Sequence, residues 1–331
     1  MNILIVSAQA MPVQPEMRYQ GIERLAYIFA TELNKLGHKV AIVATEGSTI
    51  PSGIEYIPTK QGGAQTEIDS FPVYKDRLAE FDVIHDFSHY HCPAMSNQKL
   101  PVLNVFWHDP QIAKYPEPQY NMVSISQWGA DRFKEIYQQE ARHQETVVVD
   151  PNQYTFSAQR NGRFLTLGKM SVEKGNLEAI RLCRKLGVGL DIVGGRIPPD
   201  PADYEDTVKS LCDGEQFRFY GDCSDRDKIA LMQSAKALIY CVAQTEVHSH
   251  KSCEALMTGC SVITYDLGAM KEIVGSWGAV VDTENDFLLA MQRKPPAPIG
   301  CREYAISRWE TNRVVSNYIK LYKEVAEGKR W

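Results

Sequence analysis

The chain has 331 residues, 44% of them hydrophobic and 23% charged, with a formal net charge of −5. At roughly 150 residues per domain this predicts two globular domains. The acidic balance gives no global basic field for nucleic acid or an anionic membrane, and no apolar run approaches the roughly 20 residues of a membrane span.

Apolar strand-like runs alternate with helical patterns from end to end. The first strand is Asn2 to Ser7, because this N-terminus lacks the basic flank and small-residue cleavage site of a signal peptide. A long loop, Ala8 to Gly21, holds Pro12 and Pro15. A helix follows from about Ile22 to Leu36. Its residues Ile22, Leu25, Ala26, Phe29, Leu33 and Leu36 mark one buried face, and Gly37 stops it at C′. With the next strand, Lys39 to Ala44, this makes the opening unit of a parallel doubly wound sheet. Further strands are predicted at Asp82 to His85, Val102 to Phe106, Met122 to Ile125 and Thr146 to Val149. They are nearly continuous in apolar residues, as in sheets covered by helices on both faces.

The pattern breaks at Asp150 to Gln153 and again at Gln159 to Gly162, which places a domain boundary near residue 155. It restarts with strand Phe164 to Leu167, helix Leu177 to Leu186 and strand Leu190 to Val193. Strands at Phe217 to Tyr220, Ala237 to Val242, Ser261 to Tyr265 and Ala279 to Val281 follow. After the Pro-rich segment Lys294 to Pro298, one long helical stretch runs from about Cys301 to Glu327. Eight scattered cysteines contain no C-x-x-C pair. That favours reduced thiols in a cytoplasm over a disulfide framework or zinc ribbon.

Three loops at predicted strand ends carry candidate chemistry. No G-x-G-x-x-G follows the first strand, which disfavours a nicotinamide enzyme; Gly194-Gly195 is a fragment of that pattern without a helix after it. The loop ending at Gly21 is long for a βα connection, and a bare glycine there would let a phosphate reach the helix N-terminus. A plain glycine cap would look the same. The second loop, Gly168 to Gly175, holds Lys169 and Lys174, two point charges for a diphosphate or simply a solvated turn. The third runs from Glu246 through His248, Ser249, His250 and Lys251 to Glu254, with a short helix beginning near His250 or Ser252 and ending at Gly259. Carboxylates so placed can accept from sugar hydroxyls while the helix N-terminus faces a phosphate; a Glu in a first turn also serves as a dipole partner alone.

The histidines admit several readings. His85, His89 and His91 with Cys92, and His248 and His250 with Cys253, have ligand-like spacing but match no standard zinc pattern. His108-Asp109 follows a strand and could polarise a substrate hydroxyl, or His108 could pack on Trp107.

Taken in order, these segments resemble the GT-B glycosyltransferases, specifically the retaining glycosyltransferase family 4 (GT4). Gly21-Ile22-Glu23-Arg24-Leu25, then Leu33 and Leu36-Gly37-His38-Lys39-Val40, are similar to G-G-x-E-R … L-x-x-x-G-H-x-V. Phe81 to His85 and Trp107-His108-Asp109 resemble family segments, and Phe164 to Met170 with Lys174-Gly175 resembles G-R-L … K-G. Seven residues separate Glu246 from Glu254, the E-x7-E spacing, and Glu254 to Ile263 is similar to E-A-x-A-x-G-x-P-V-I. Gly268 and Glu272-Ile273-Val274 complete the order. The sequence departs from the pattern at Gln20, at Lys169 in place of arginine, and at His248-Ser249 in place of Phe-Gly.

The resemblance implies an α/β fold of two Rossmann-like doubly wound domains facing a central cleft, with the C-terminal helix crossing back, Trp309 included, to the N-terminal domain. It implies an acceptor-side domain over 1–155 plus about 306–331, and a nucleotide-sugar domain over 156–305. It implies a metal-independent, retaining hexosyltransferase with a nucleoside diphosphate-sugar as co-substrate, a UDP-sugar favoured over a GDP-sugar, and no other cofactor. Lys169 and Lys174 would hold the diphosphate, Glu254 the ribose and Glu246 the sugar. Gly21, Gly168, Gly194, Tyr220 and the amides of Ser249, His250 and Lys251 would line the donor site. His108 would touch the donor sugar or the acceptor. The acceptor, a sugar, small molecule or glycan, would meet the loops Ala8 to Gln20 and His85 to Cys92. A nucleotide-sugar epimerase on the same scaffold, and a non-catalytic sugar-nucleotide binding protein, remain as alternatives.

Overall fold

The structure is a computed structural model that describes residues 1–15, 21–113, 120–196 and 202–331. The loop residues 16–20, with Gln20, lie outside the described residues. The chain forms two compact units, Met1–Val148 with Thr311–Trp331, and Val149–Glu310. The divisions therefore fall at Val148 and Glu310 rather than near 155 and 305.

The first unit runs β1 (Asn2–Val6), α1 (Gly21–Lys35), β2 (Lys39–Thr45), β3 (Glu55–Thr59), α2 (Ala64–Ser70), β4 (Val83–Asp86), α3 (Cys92–Ser96), β5 (Val102–Phe106), α4 (Pro110–Ala113), β6 (Met122–Ser124), α5 (Gln127–Tyr137) and β7 (Ala141–His143). The second runs β8 (Phe164–Leu167), α6 (Asn176–Leu186), β9 (Leu190–Val193), α7 (Asp203–Ser210), β10 (Phe217–Gly221), α8 (Asp225–Ser234), β11 (Ala237–Tyr240), α9 (His250–Met257), β12 (Val262–Tyr265), α10 (Met270–Val274), β13 (Gly278–Val281), α11 (Glu284–Gln292) and α12 (Pro298–Trp309). The last helix, α13 (Thr311–Ala326), belongs to the first unit.

Both sheets are parallel. Their orders are β3-β2-β1-β4-β5-β6-β7 and β10-β9-β8-β11-β12-β13. Each is a doubly wound sheet whose strand order reverses beside its first strand. In such sheets ligands bind outside the strand C-termini at the reversal. That point lies between β1 and β4 in the first unit and between β8 and β11 in the second. Among the described residues no helix is long and apolar enough to cross a membrane.

Helix α1 buries Leu25, Ala26, Phe29, Ala30 and Leu33; a buried Leu or Phe contributes about 1.5–3 kcal/mol. Leu36 departs from the expected face. It follows the last helical residue and is 58% exposed, because Gly37 turns the chain at φ +83° and His38 N–H returns to the Leu33 carbonyl at 3.1 Å. Helix α13 buries Val314, Val315, Tyr318, Tyr322 and Val325 on the first unit. Its Tyr322 hydroxyl meets His85 Nδ1 at 2.7 Å, and Tyr318 meets Thr146 Oγ1 at 2.6 Å.

Three expectations are corrected. The run Thr146 to Val149 is not a strand; the edge strand is Ala141–His143. Val147 and Val149 are buried all the same, where the chain leaves the first unit, and apolarity reports burial rather than ladder pairing. The strand Glu55–Thr59 is additional to the expected ones; it contains Pro58, which is tolerated because β3 is an edge strand. The C-terminal helical stretch is two helices, separated by the extended Glu310 (φ −61°, ψ 136°). Trp309 therefore stays in the second unit, fully buried, with its carbonyl accepting from Val149 N–H at 2.8 Å.

Candidate active site

In the second unit the loop after β8 and the loop after β11 meet. Lys174 Nζ donates to Glu246 Oε1 at 2.6 Å, and the Tyr240 hydroxyl donates to the same oxygen at 2.6 Å. Both partners of Glu246 thus use Oε1. The Lys174 and Glu246 side chains are only 20% and 12% exposed, so removing one leaves a poorly solvated charge on the other. Burial, then the Glu246 charge, pushes the Tyr240 phenol well above its ordinary pKa, which keeps it a donor. Lys251, in the first turn of α9, donates from Nζ to the Leu167 carbonyl at 2.8 Å.

Backbone geometry fixes these groups. Glu246 forms a one-residue parallel bridge with Gly268, and its carbonyl accepts from Ala269 N–H at 2.8 Å. Gly268 has φ +70°, and a Cβ there would lie 2.3 Å from the Glu246 carbonyl oxygen. Gly194 follows β9 at φ +136° with its Cα against Gly168, where a Cβ would sit 1.8 Å from the carbonyl oxygen. Glycine is required at both places.

Glu254 is held differently. Tyr154 donates to its Oε1 at 2.6 Å, and Lys228 Nζ lies 3.3 Å from its Oε2. Glu254 and Glu246 therefore occupy separate polar clusters on one unit. Ser249 precedes α9 as its N-cap, with its hydroxyl bonded to that of Ser252 at 2.8 Å. His250 opens the helix, so the free N–H groups of its first turn start at the predicted place. Lys169 Nζ lies 3.0 Å from Glu173 Oε1 on its own loop. Tyr220 is on the edge strand β10, two strands from β8, and 42% exposed.

Gly21 and His108 belong to the first unit. Gly21 is the first residue of α1. His108 is exposed and stacks on His89, not on Trp107, with ring centroids 5.3 Å apart. Trp107 instead donates to the Phe87 carbonyl at 2.8 Å. His89 Nδ1 faces Glu67 Oε1 at 3.1 Å, while Glu67 Oε2 accepts from the His89 and Tyr90 N–H groups at 2.8 and 3.0 Å. Burial by itself would lower the His89 pKa, but the Glu67 bond and the charges of Glu67, Glu23 and Asp86 raise it. Burial raises the Glu23 carboxyl as well. His85 is a core histidine, fully buried and stacked on Tyr318 with centroids 4.8 Å apart. His248 is buried beside Trp309. Among the described residues no group of three or more His, Cys, Asp or Glu is placed to hold a metal ion.

The cluster at β8 and β11 lies at the C-terminal strand ends. A cavity of about 270 Å³, lined in part by Phe164, Lys236, Ala237 and Gly278, opens at their N-terminal ends, the edge of a doubly wound sheet that does not bind ligands.

The family model for glycosyl transferases group 1 matches residues 155–291. The chain has a GT-B fold, and the matched residues span most of the second unit. Its structure is similar to that of AviGT4, a glycosyltransferase involved in avilamycin A biosynthesis (TM-score 0.75, 20% identity, covering 100% of this chain and 99% of that one). It is similar to sucrose-phosphate synthase from Thermosynechococcus elongatus (TM-score 0.80, 14% identity, 99% and 100%). It is similar also to HepE of Anabaena, solved in complex with UDP-glucose (TM-score 0.75, 13% identity, 98% and 100%). No curated protein matches the sequence significantly. The second unit holds Glu246, Lys174, Lys251 and the β8 loop in one cluster. The amino-acid sequence carried no sign of Tyr240, Tyr154 and Lys228 as partners of the two glutamates, since Tyr154 and Glu254 are 100 residues apart. Nor did it reveal the Glu67–His89 pair.

Proposed function

We propose that this chain is a glycosyltransferase that moves a hexosyl group from a nucleoside diphosphate-sugar, a UDP-sugar before a GDP-sugar, to a hydroxyl-bearing acceptor. Retention of anomeric configuration belongs to the same reading and rests on the likeness of Glu246 to Glu254 to the E-x7-E motif. One observation carries the assignment: Lys174, Tyr240 and Glu246 converge at the strand reversal of the group 1 unit, beside the first turn of α9. HepE, of the same fold, was solved with UDP-glucose bound, which supports a UDP-sugar donor.

The roles follow from chemistry. Lys169 and Lys174 place positive charge where the diphosphate leaves, and the N–H groups at Ser249 to Lys251 add the helix dipole. Together they stabilise the leaving group without a bound metal. Glu246 keeps Oε2 for a sugar hydroxyl while Oε1 is occupied. Glu254 accepts from the ribose. Gly21 and His108 act from the first unit, whose loops meet the acceptor. A cytoplasmic location, with reduced cysteines, completes the reading.

A thermal-shift screen of UDP, GDP, ADP and NAD tests it. A nucleotide present at a hundred times its Kd adds about 2.7 kcal/mol of stability, a shift of several degrees. UDP is expected to give the largest rise. Stabilisation by NAD alone would overturn the reading.

A further inference from the structure

Of the four lysines around the two glutamates, one makes no ion pair with a carboxylate among the described residues. Lys169 is matched by Glu173 at 3.0 Å, Lys174 by Glu246 at 2.6 Å and Lys228 by Glu254 at 3.3 Å. Lys251 has neutral partners instead: the Leu167 carbonyl at 2.8 Å and the face of Tyr240, 3.8 Å from Nζ to the ring centroid. Among the described residues no carboxylate lies within ion-pair distance of it. Its Nζ also lies against Gly168, where a Cβ would approach to 2.7 Å. The ammonium therefore sits at the C-terminal end of β8, where the bare glycine lets a ligand come close.

The Tyr240 face and the Leu167 carbonyl both stabilise the ammonium, but neither carries a full negative charge. Holding a half-buried ammonium without an ion-pair partner is costly, and an arriving anion offsets that cost. A nucleoside diphosphate-sugar carries two negative charges on its diphosphate. Lys169, Lys174 and Lys228 each already face a carboxylate.

We propose that the Lys251 side chain is a ligand of the donor's diphosphate, supplying the positive charge that Lys169, tied to Glu173, does not deliver in full. The proposal rests on the donor-site reading above. It assigns to the Lys251 ammonium a role beyond that of its backbone amide.

Proton linkage follows. Burial, and then the Lys174 charge, lowers the Lys251 pKa to about 7, with Glu246 and Glu254 acting in the opposite direction. Tyr240 and His250 are its other titratable neighbours. Near neutral pH the ligand-free lysine is thus partly uncharged, and a bound diphosphate draws it to the ammonium. Well below pH 7 it is already protonated and almost no proton is taken up. Above pH 7 binding requires a proton, so affinity falls as pH rises.

The test is calorimetry with UDP-glucose, GDP-mannose and ADP-glucose, whose bridged diphosphates do not titrate near neutrality, unlike the terminal phosphate of free UDP at about pH 6. The sugar nucleotide that binds most tightly is carried through the series, in two buffers of different ionisation enthalpy. Wild type is expected to take up nearly one proton at pH 8 and to lose about eightfold in affinity between pH 7.5 and 8.5. Lys251→Met should bind about tenfold or more weakly at pH 7, without proton uptake. Lys251→Arg, permanently charged, should bind with affinity independent of pH over this range. It decides the question together with wild type even if Lys251→Met folds poorly. Wild-type binding without proton uptake, or Lys251→Met binding as tightly as wild type, overturns the proposal. Failure of wild type to bind any of the three overturns the donor-site reading, and this proposal with it.

Discussion

The Tyr154 phenol and the Glu254 carboxylate, 100 residues apart in sequence, are joined at 2.6 Å. Lys228 lies 3.3 Å from the other carboxylate oxygen. The glutamate is thereby fixed in one orientation, the one in which the proposed reading has it meet a ribose. Hydrogen bonds to charged groups contribute about 1.5–3 kcal/mol. Tyr154→Phe should therefore weaken UDP binding by roughly tenfold, and Glu254→Ala by more. Titration calorimetry of both variants checks this. Wild-type affinity in both would remove Glu254 from the nucleotide site.

Glu246 should separate turnover from affinity. Its partners Lys174 and Tyr240 hold Oε1, and the proposed reading gives Oε2 to the sugar rather than the nucleotide. Glu246→Gln is expected to lower kcat by about a hundredfold or more, the scale of a lost transition-state contact, with UDP affinity changed less than about threefold. Donor turnover, followed by UDP release, and UDP binding are measured side by side. A large loss of affinity with kcat intact would reverse the two glutamates' roles.

Gly194→Ala should destabilise the second unit. The new Cβ would stand 1.8 Å from the Gly168 carbonyl oxygen at φ +136°, so the β8 and β9 ends must separate. A loss of about 2–4 kcal/mol is expected, read as a lower urea midpoint. An unchanged midpoint would show that the two loops part without strain.

In the first unit, Glu67 holds His89 through Nδ1 at 3.1 Å and raises its pKa. A histidine with a raised folded pKa adds stability below its unfolded value of about 6.5 and loses it as pH rises through the folded value. Glu67→Gln should flatten that part of the stability–pH curve. It should also move the His89 imidazole resonance titration downward in NMR. An unmoved titration would mean that Glu67 does not set the protonation of His89.

The alternation of apolar runs and amphipathic helices made the two doubly wound sheets legible, because strand burial on both faces and one-sided helix burial each leave a period in the sequence. Gly37, Gly175 and Gly259 punctuated it correctly, all with positive φ. The order of glycine, lysine and glutamate segments pointed to the group 1 unit, where Lys174 and Glu246 do meet. Thr146 to Val149 shows where such reading stops, since an apolar run is buried whether or not it joins a ladder.

What the sequence could not supply was the pairing of groups far apart along the chain. Lys251 was legible as a helix-start residue, but not as an ammonium over Tyr240 without a carboxylate beside it. Tyr154 and Lys228 became partners of Glu254, and Glu67 of His89, only once the sheets brought their loops together. Local periodicity is written in neighbouring residues and fixes the elements. The electrostatics of a site depend on distances between side chains that are 22 residues apart for Glu67 and His89 and 100 for Tyr154 and Glu254, and only the folded chain sets those.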